Sequence, residues 1–211
     1  MLSTIEKDYI FSIIKENFGW ISKDYQRHIS CKFREEDREG FSLNWGTVKY
    51  CISGEVFPNY VVKFCLGGFD YCEREYTNYL AAIERKLGRF FPYTDFLGKF
   101  NGVSYYIQEK AYVDSERVSD IWYGSVSEDE YWESTYSDED EEYVSERIWD
   151  YISELEDYER IEILFGDDAL IDFIDEYCIN DLHEGNYGYI DDRLVIIDFS
   201  GYSTTAICRD F

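Results

Sequence analysis

Histidine and paired cysteine motifs are almost missing from this chain. It has two His and six Cys, at positions 31, 51, 65, 72, 178 and 208. No two of these cysteines are spaced C-x₂-C, so the spacing predicts no structural zinc site. Cys65 falls in an apolar strand pattern and Cys178 in a helical one. The cysteines therefore read as buried free thiols in a reducing, cytoplasmic setting. Basic residues are scarce: 20 Lys and Arg stand against 45 Asp and Glu, for a net charge of −25. Such a field repels nucleic acid and anionic membrane and draws in cationic partners. A free nucleotide is repelled too, unless Mg²⁺ accompanies it. Long apolar runs are absent, so no membrane span is expected. Residues Met1 to Asp8 lack a basic region followed by an apolar core, and no secretory leader is expected. No internal repeat is visible. Strands and helices do not alternate as a parallel sheet requires.

What is present is a globular composition. Hydrophobic residues make up 45% and aromatics 19% of 211 residues, enough for one domain or two small ones. Residues 3–18 read as a helix: Ser3 and Glu6 form a capping box, Ile5, Ile10, Ile13, Ile14 and Phe18 mark an apolar face, and Gly19 ends it. Residues 20–40 are a polar lead-in. Strands follow at 47–52 and 59–66, then a helix over 70–87 with Tyr76, Tyr79, Leu80, Ile83 and Leu87 at helical spacing, closed by Gly88. A hairpin turning on Asn101-Gly102 spans 96–109. Residues 114–159 carry 18 acidic and two basic side chains, with a helix expected over 141–157. A last helix over 167–178 leads into Asp181. The expected class is α+β.

The densest chemistry lies between Asp181 and Gly201. Asp181-Leu182-His183-Glu184-Gly185-Asn186 reads as a loop, followed by two short strands with Asp191-Asp192 at their turn, then Ile197-Asp198-Phe199-Ser200-Gly201. A carboxylate, an amide five positions later and a second carboxylate after an apolar strand form the layout used for phosphoryl transfer. This segment resembles the catalytic core of the protein-kinase-like superfamily, closest to the aminoglycoside and choline kinase branch. The resemblance implies that Asp181 orients or deprotonates an acceptor hydroxyl, and that Asn186 and Asp198 hold Mg²⁺ on the phosphates of ATP. It implies that Lys63, the lone cation in Val61-Val62-Lys63-Phe64, grips those phosphates. Glu75 of the following helix would be its partner, with Glu73 as the alternative. Gly46 stands where the phosphate loop belongs, and Glu109 to Val113 where a hinge would hold adenine.

The implied architecture is two-lobed. Residues 1–40 form a helix and lead-in, 41–112 an antiparallel-sheet small lobe, and 113–211 a reduced, mainly helical large lobe. Three features depart from the family pattern. Trp45-Gly46-Thr47-Val48 has one glycine where two or three are usual. Ile179 precedes Asp181 by two, in place of the usual histidine. Ten residues follow Gly201. The leading expectation is an ATP- and Mg²⁺-dependent phosphotransferase acting on a hydroxyl of a small molecule or a basic protein, with no direct nucleic acid binding. The alternative is a kinase-like protein without catalysis. It would use the acidic 114–159 stretch as a binding or inhibitory surface, even one that imitates DNA.

Overall fold

The computed structural model describes residues 2–23, 39–46, 48–114, 117–118, 157–180 and 182–201. The chain divides into two compact units, Met1–Ala111 and Tyr112–Phe211. It is an α+β protein whose main sheet has five antiparallel strands. Among the described residues, no helix is long and apolar enough to cross a membrane.

The first unit opens with α1, Thr4–Phe18. Its capping box forms as the sequence predicts: the Glu6 amide donates to Ser3 Oγ at 3.3 Å, and the Ser3 amide to Glu6 Oε2 at 2.7 Å. Two orphan amides of the first turn are thereby satisfied. The buried stripe is narrower than expected. Ile10, Ile14 and Phe18 are buried, but Ile5 is 81% exposed. Gly19 caps the helix in the right-handed region, with φ −61°.

The strands are β1 (Phe41–Trp45), β2 (Lys49–Gly54), β3 (Tyr60–Cys65), β4 (Thr94–Phe100) and β5 (Val103–Glu109). They lie in the order β1-β2-β3-β5-β4. The β4–β5 turn is the predicted one, with Asn101 and Gly102 at φ 50° and 77°. Both central residues in the left-handed region are what a tight right-twisted hairpin demands. Alternation along each strand divides the side chains between two faces. Ile52, Val62, Phe64, Val103, Tyr105 and Ile107 share one core with Ile10, Ile14 and Phe18 of α1. Gly98 sits under this contact, where a Cβ would fall 2.4 Å from the Phe11 ring.

The opposite face is covered by α2, Tyr71–Glu84, capped by Asp70 Oδ1 on the Glu73 amide at 3.1 Å. Here the apolar pattern misleads. Leu80 and Ile83 are 45% and 49% exposed, while the buried positions are Cys72, Glu75, Asn78 and Ala82. The helix ends at Glu84 and the chain turns through Lys86, at φ 64°. Gly88 therefore does not close it, but opens a short 3₁₀ turn to Phe90.

The second unit contains α3 (Asp157–Phe165), α4 (Asp168–Glu176), and the hairpin of β6 (Tyr187–Ile190) and β7 (Arg193–Ile196). Asp167 caps α4 through the Leu170 amide at 3.0 Å. Ile161, Leu170, Phe173, Leu182, Tyr187, Val195 and Phe199 are buried. Tyr112 adds a two-bond bridge to Tyr189 at the hairpin edge. Helix α4 lies where the sequence predicts a helix; α3 was not expected. The helix expected over 141–157 and most of the acidic 114–159 stretch lie outside the described residues.

Candidate functional site

In the first unit, polar residues converge under α2. Lys63 is on β3 with its side chain on the α2 face, because its neighbours Val62 and Phe64 fill the α1 core. Its ammonium donates to Glu75 Oε1 at 2.7 Å. Glu75 is 1% exposed and Glu73 is exposed. The two glutamates are two positions apart, so a helix cannot turn both toward the sheet. Glu75, not Glu73, is the partner of Lys63.

The same carboxylate has further partners. Lys49 Nζ reaches Glu75 Oε2 at 3.2 Å, and Gln108 Nε2 donates to Glu75 Oε1 at 2.7 Å. Gln108 also lies 3.2 Å from Thr94 Oγ1, which itself donates to the Pro92 carbonyl. Sequence reasoning missed Lys49, Gln108 and Thr94. Their signal is register rather than motif. Lys49 lies opposite Cys65, and Cys51 opposite Lys63, so Lys49 and Lys63 share the α2 face. A carboxylate this deeply buried needs such donors, since an uncompensated buried charge is expensive. The arrangement presents two ammonium groups beside one buried carboxylate, a net positive cluster. Chemically, it can bind an anion.

Gly46 lies between β1 and β2, where its amide donates to the Lys49 carbonyl at 3.0 Å. Nothing approaches its Cβ direction within 4 Å, so its lack of a side chain leaves open space. Glu109 ends β5, and its amide donates to the Tyr93 carbonyl at 2.8 Å. The next amide, of Lys110, donates to the Asn59 carbonyl. Together with the Tyr112 amide, which donates to the Tyr189 carbonyl at 2.8 Å, three amides of the 109–113 stretch are thus already engaged.

In the second unit, Asn186 is buried in a 3₁₀ turn from Glu184 to Asn186. Its backbone carbonyl accepts from the Ile197 amide at 2.8 Å, one residue before Asp198. That bond brings the loop and the end of β7 together, which the twelve-position spacing alone does not require. His183 caps the turn through its Nδ1, accepting from the Gly185 amide at 3.1 Å. The loop is also held by Tyr187 and Arg160, which both donate to the Leu182 carbonyl. Asp198 is half-buried and accepts from Ser200 Oγ at 3.3 Å. Gly201 follows at φ 67°, with the Cys178 carbonyl only 2.2 Å from where a Cβ would sit. Glycine is therefore obligatory there. Asp192, at the hairpin tip, is exposed. Asp181 lies outside the described residues.

An amide oxygen and a carboxylate near one hairpin are hard donors, and hard oxygen donors suit Mg²⁺. Comparison of the chain with family models, with curated proteins and with solved structures found no match.

Proposed function

We propose that the chain is an ATP- and Mg²⁺-dependent phosphotransferase of the protein-kinase-like kind. Under this reading Met1–Ala111 is the small lobe and Tyr112–Phe211 a reduced large lobe. The observation that carries it is the Lys63–Glu75 pair, a strand lysine held by a buried helix glutamate at 2.7 Å. Phosphoryl transfer of this type needs a cation pinned in one place, because charge builds on the transferring group. A lysine locked by a desolvated carboxylate meets that need better than a mobile surface lysine.

The remaining roles follow from donor chemistry. Lys63 binds the nucleotide phosphates. Asn186 and Asp198 hold Mg²⁺ through their oxygens, and Asp181 orients the acceptor hydroxyl. The bound Mg²⁺-nucleotide supplies the γ-phosphoryl group and part of the charge neutralisation. With the Glu109, Lys110 and Tyr112 amides engaged, reading of the adenine ring by residues 109–113 falls to their remaining backbone groups. The acceptor is a hydroxyl on a small molecule or a basic protein, favoured by the net charge of −25.

Calorimetry with ATP and Mg²⁺ tests the reading. Wild type and Asp192→Ala are expected to bind and to transfer phosphate. Lys63→Ala should lose affinity, and Asp198→Ala should lose magnesium-dependent transfer. A folded wild-type protein that binds no nucleotide in the presence of Mg²⁺ overturns it.

A further inference from the structure

Two cysteines that the sequence separates by six residues meet at the joint between β3 and α2. Cys65 is the last residue of β3, on the face that α2 covers. Cys72 lies in the first turn of α2. The residues between them fold back, and the two Sγ atoms stand 3.3 Å apart. Asp70 caps the helix in the same turn. One ligand atom from each of Cys65, Asp70 and Cys72 lies within 4.8 Å of the other two. We propose that these three residues form a binding site for a borderline-soft divalent cation, zinc in the first instance.

The donor set decides the class of ion. Two thiolates and one carboxylate suit Zn²⁺ far better than Mg²⁺ or Ca²⁺, which take oxygens alone. With Zn–S near 2.3 Å, two thiolates on a tetrahedral ion sit roughly 3.8 Å apart. The sulfurs therefore need to open by only about half an ångström. Asp70 uses Oδ1 to cap the Glu73 amide, and its second oxygen can serve the metal. Both thiols are buried, at 3% and 1%, whereas Asp70 is half-buried and marks the side from which an ion enters. A cation offsets the penalty of burying thiolates, because it takes the place of their protons. Three protein ligands leave a fourth position for water or another donor. A disulfide would use the two sulfurs and leave Asp70 as a helix cap alone. The site is distinct from the motif cysteine spacings, which is why the sequence alone shows no zinc pattern. An ion here staples the end of β3, two residues past Lys63, to the start of α2, three residues before Glu75.

The test uses the full chain, reduced and freed of metal with a chelator, and Co²⁺ as the spectroscopic probe. About one equivalent should produce a thiolate-to-cobalt charge-transfer band and tetrahedral ligand-field bands, both displaced by Zn²⁺. Cys65→Ser and Cys72→Ser should abolish the bands. Asp70→Asn keeps a capping oxygen and should weaken Co²⁺ binding about tenfold or more. Cys51→Ser should leave the bands unchanged. Absence of the bands in folded wild type, or their survival in Cys65→Ser, overturns the proposal. Where a serine variant fails to fold, alkylation of the wild type in enough urea to expose these buried thiols without metal, read by mass spectrometry, decides. Zn²⁺ should protect Cys65 and Cys72, and unchanged labelling overturns the site. A Cys65–Cys72 disulfide forming in protein that takes up no Co²⁺ when reduced overturns it in favour of a redox pair.

Discussion

Glu75 is nearly sealed from solvent, yet three donors reach its carboxylate. Hydrogen bonds to a charged group contribute about 1.5–3 kcal/mol each. Removing one side of a buried ion pair costs about 3–5 kcal/mol, because the remaining charge stays desolvated. Glu75→Ala is therefore expected to lower the urea unfolding free energy by roughly that amount. Glu73→Ala, on the exposed side of the same helix, should change it by no more than about 0.5 kcal/mol. Equal effects of the two variants would refute the assignment. Tyr105 presents the opposite case. Its ring is buried against Phe11 and Phe64, and its hydroxyl has no hydrogen-bond partner among the described residues. Burial pushes its phenol well above the ordinary tyrosine range. Tyr105→Phe should be neutral or raise stability by up to about 1 kcal/mol, measured as the thermal midpoint.

Elements are positioned by polar ties as well as by apolar faces. Lys7 of α1 reaches Asp95 of β4 at 2.8 Å, and the Tyr93 hydroxyl donates to the same oxygen at 2.8 Å. Burial pushes the Asp95 carboxyl up, but hydrogen bonds from Lys7 and Tyr93 outweigh it and hold the group below its ordinary range. The unfolded chain then takes up this proton more readily than the folded one. The stabilisation is thus complete above the unfolded value of about 3.9 and is lost as the pH falls through the lower folded value. Asp95→Asn should remove this share of the acid sensitivity. The midpoint difference between wild type and variant should shrink steadily on acidification below about pH 4. A difference that stays constant with pH would assign Asp95 a packing role alone. At this scale α2 also shows why its apolar pattern misled. The helix turns Cys72, Glu75, Asn78 and Ala82 inward, because the sheet beneath it offers lysines and a glutamine.

For the whole molecule, the net charge of −25 is the dominant long-range term. Self-repulsion at that level opposes any compact state, and salt screens it over a Debye length of about 10 Å at 0.1 M. Added sodium chloride should therefore raise the thermal midpoint, with most of the gain below about 0.5 M. A midpoint that falls with salt would mean that the ion pairs of α1 and α2 outweigh the field. The same field shapes the functional reading. It favours a nucleotide that arrives with its magnesium and an acceptor that carries positive charge.

Much of the first unit was legible in the chain itself. The Ser3–Glu6 capping box, the strand around Lys63 and the Asn101-Gly102 turn each depend on residues a few positions apart, and each formed as read. Position 181 carries the motif that first pointed to phosphoryl transfer, and it lies outside the described residues. His183 and Asn186 owe their placement to local turn bonds, and Asp198 to the end of β7. What the amino-acid sequence determined by itself is this local grammar, because propensity, capping and turn geometry act over one or two turns of chain. What only the tertiary structure decided is which face of α2 is buried, that Glu75 rather than Glu73 takes Lys63, that Lys49 joins them, and that Cys65 meets Cys72. Each depends on strand register and on the docking of a helix against a sheet. Those are set by the summed burial of distant residues, which no local pattern encodes.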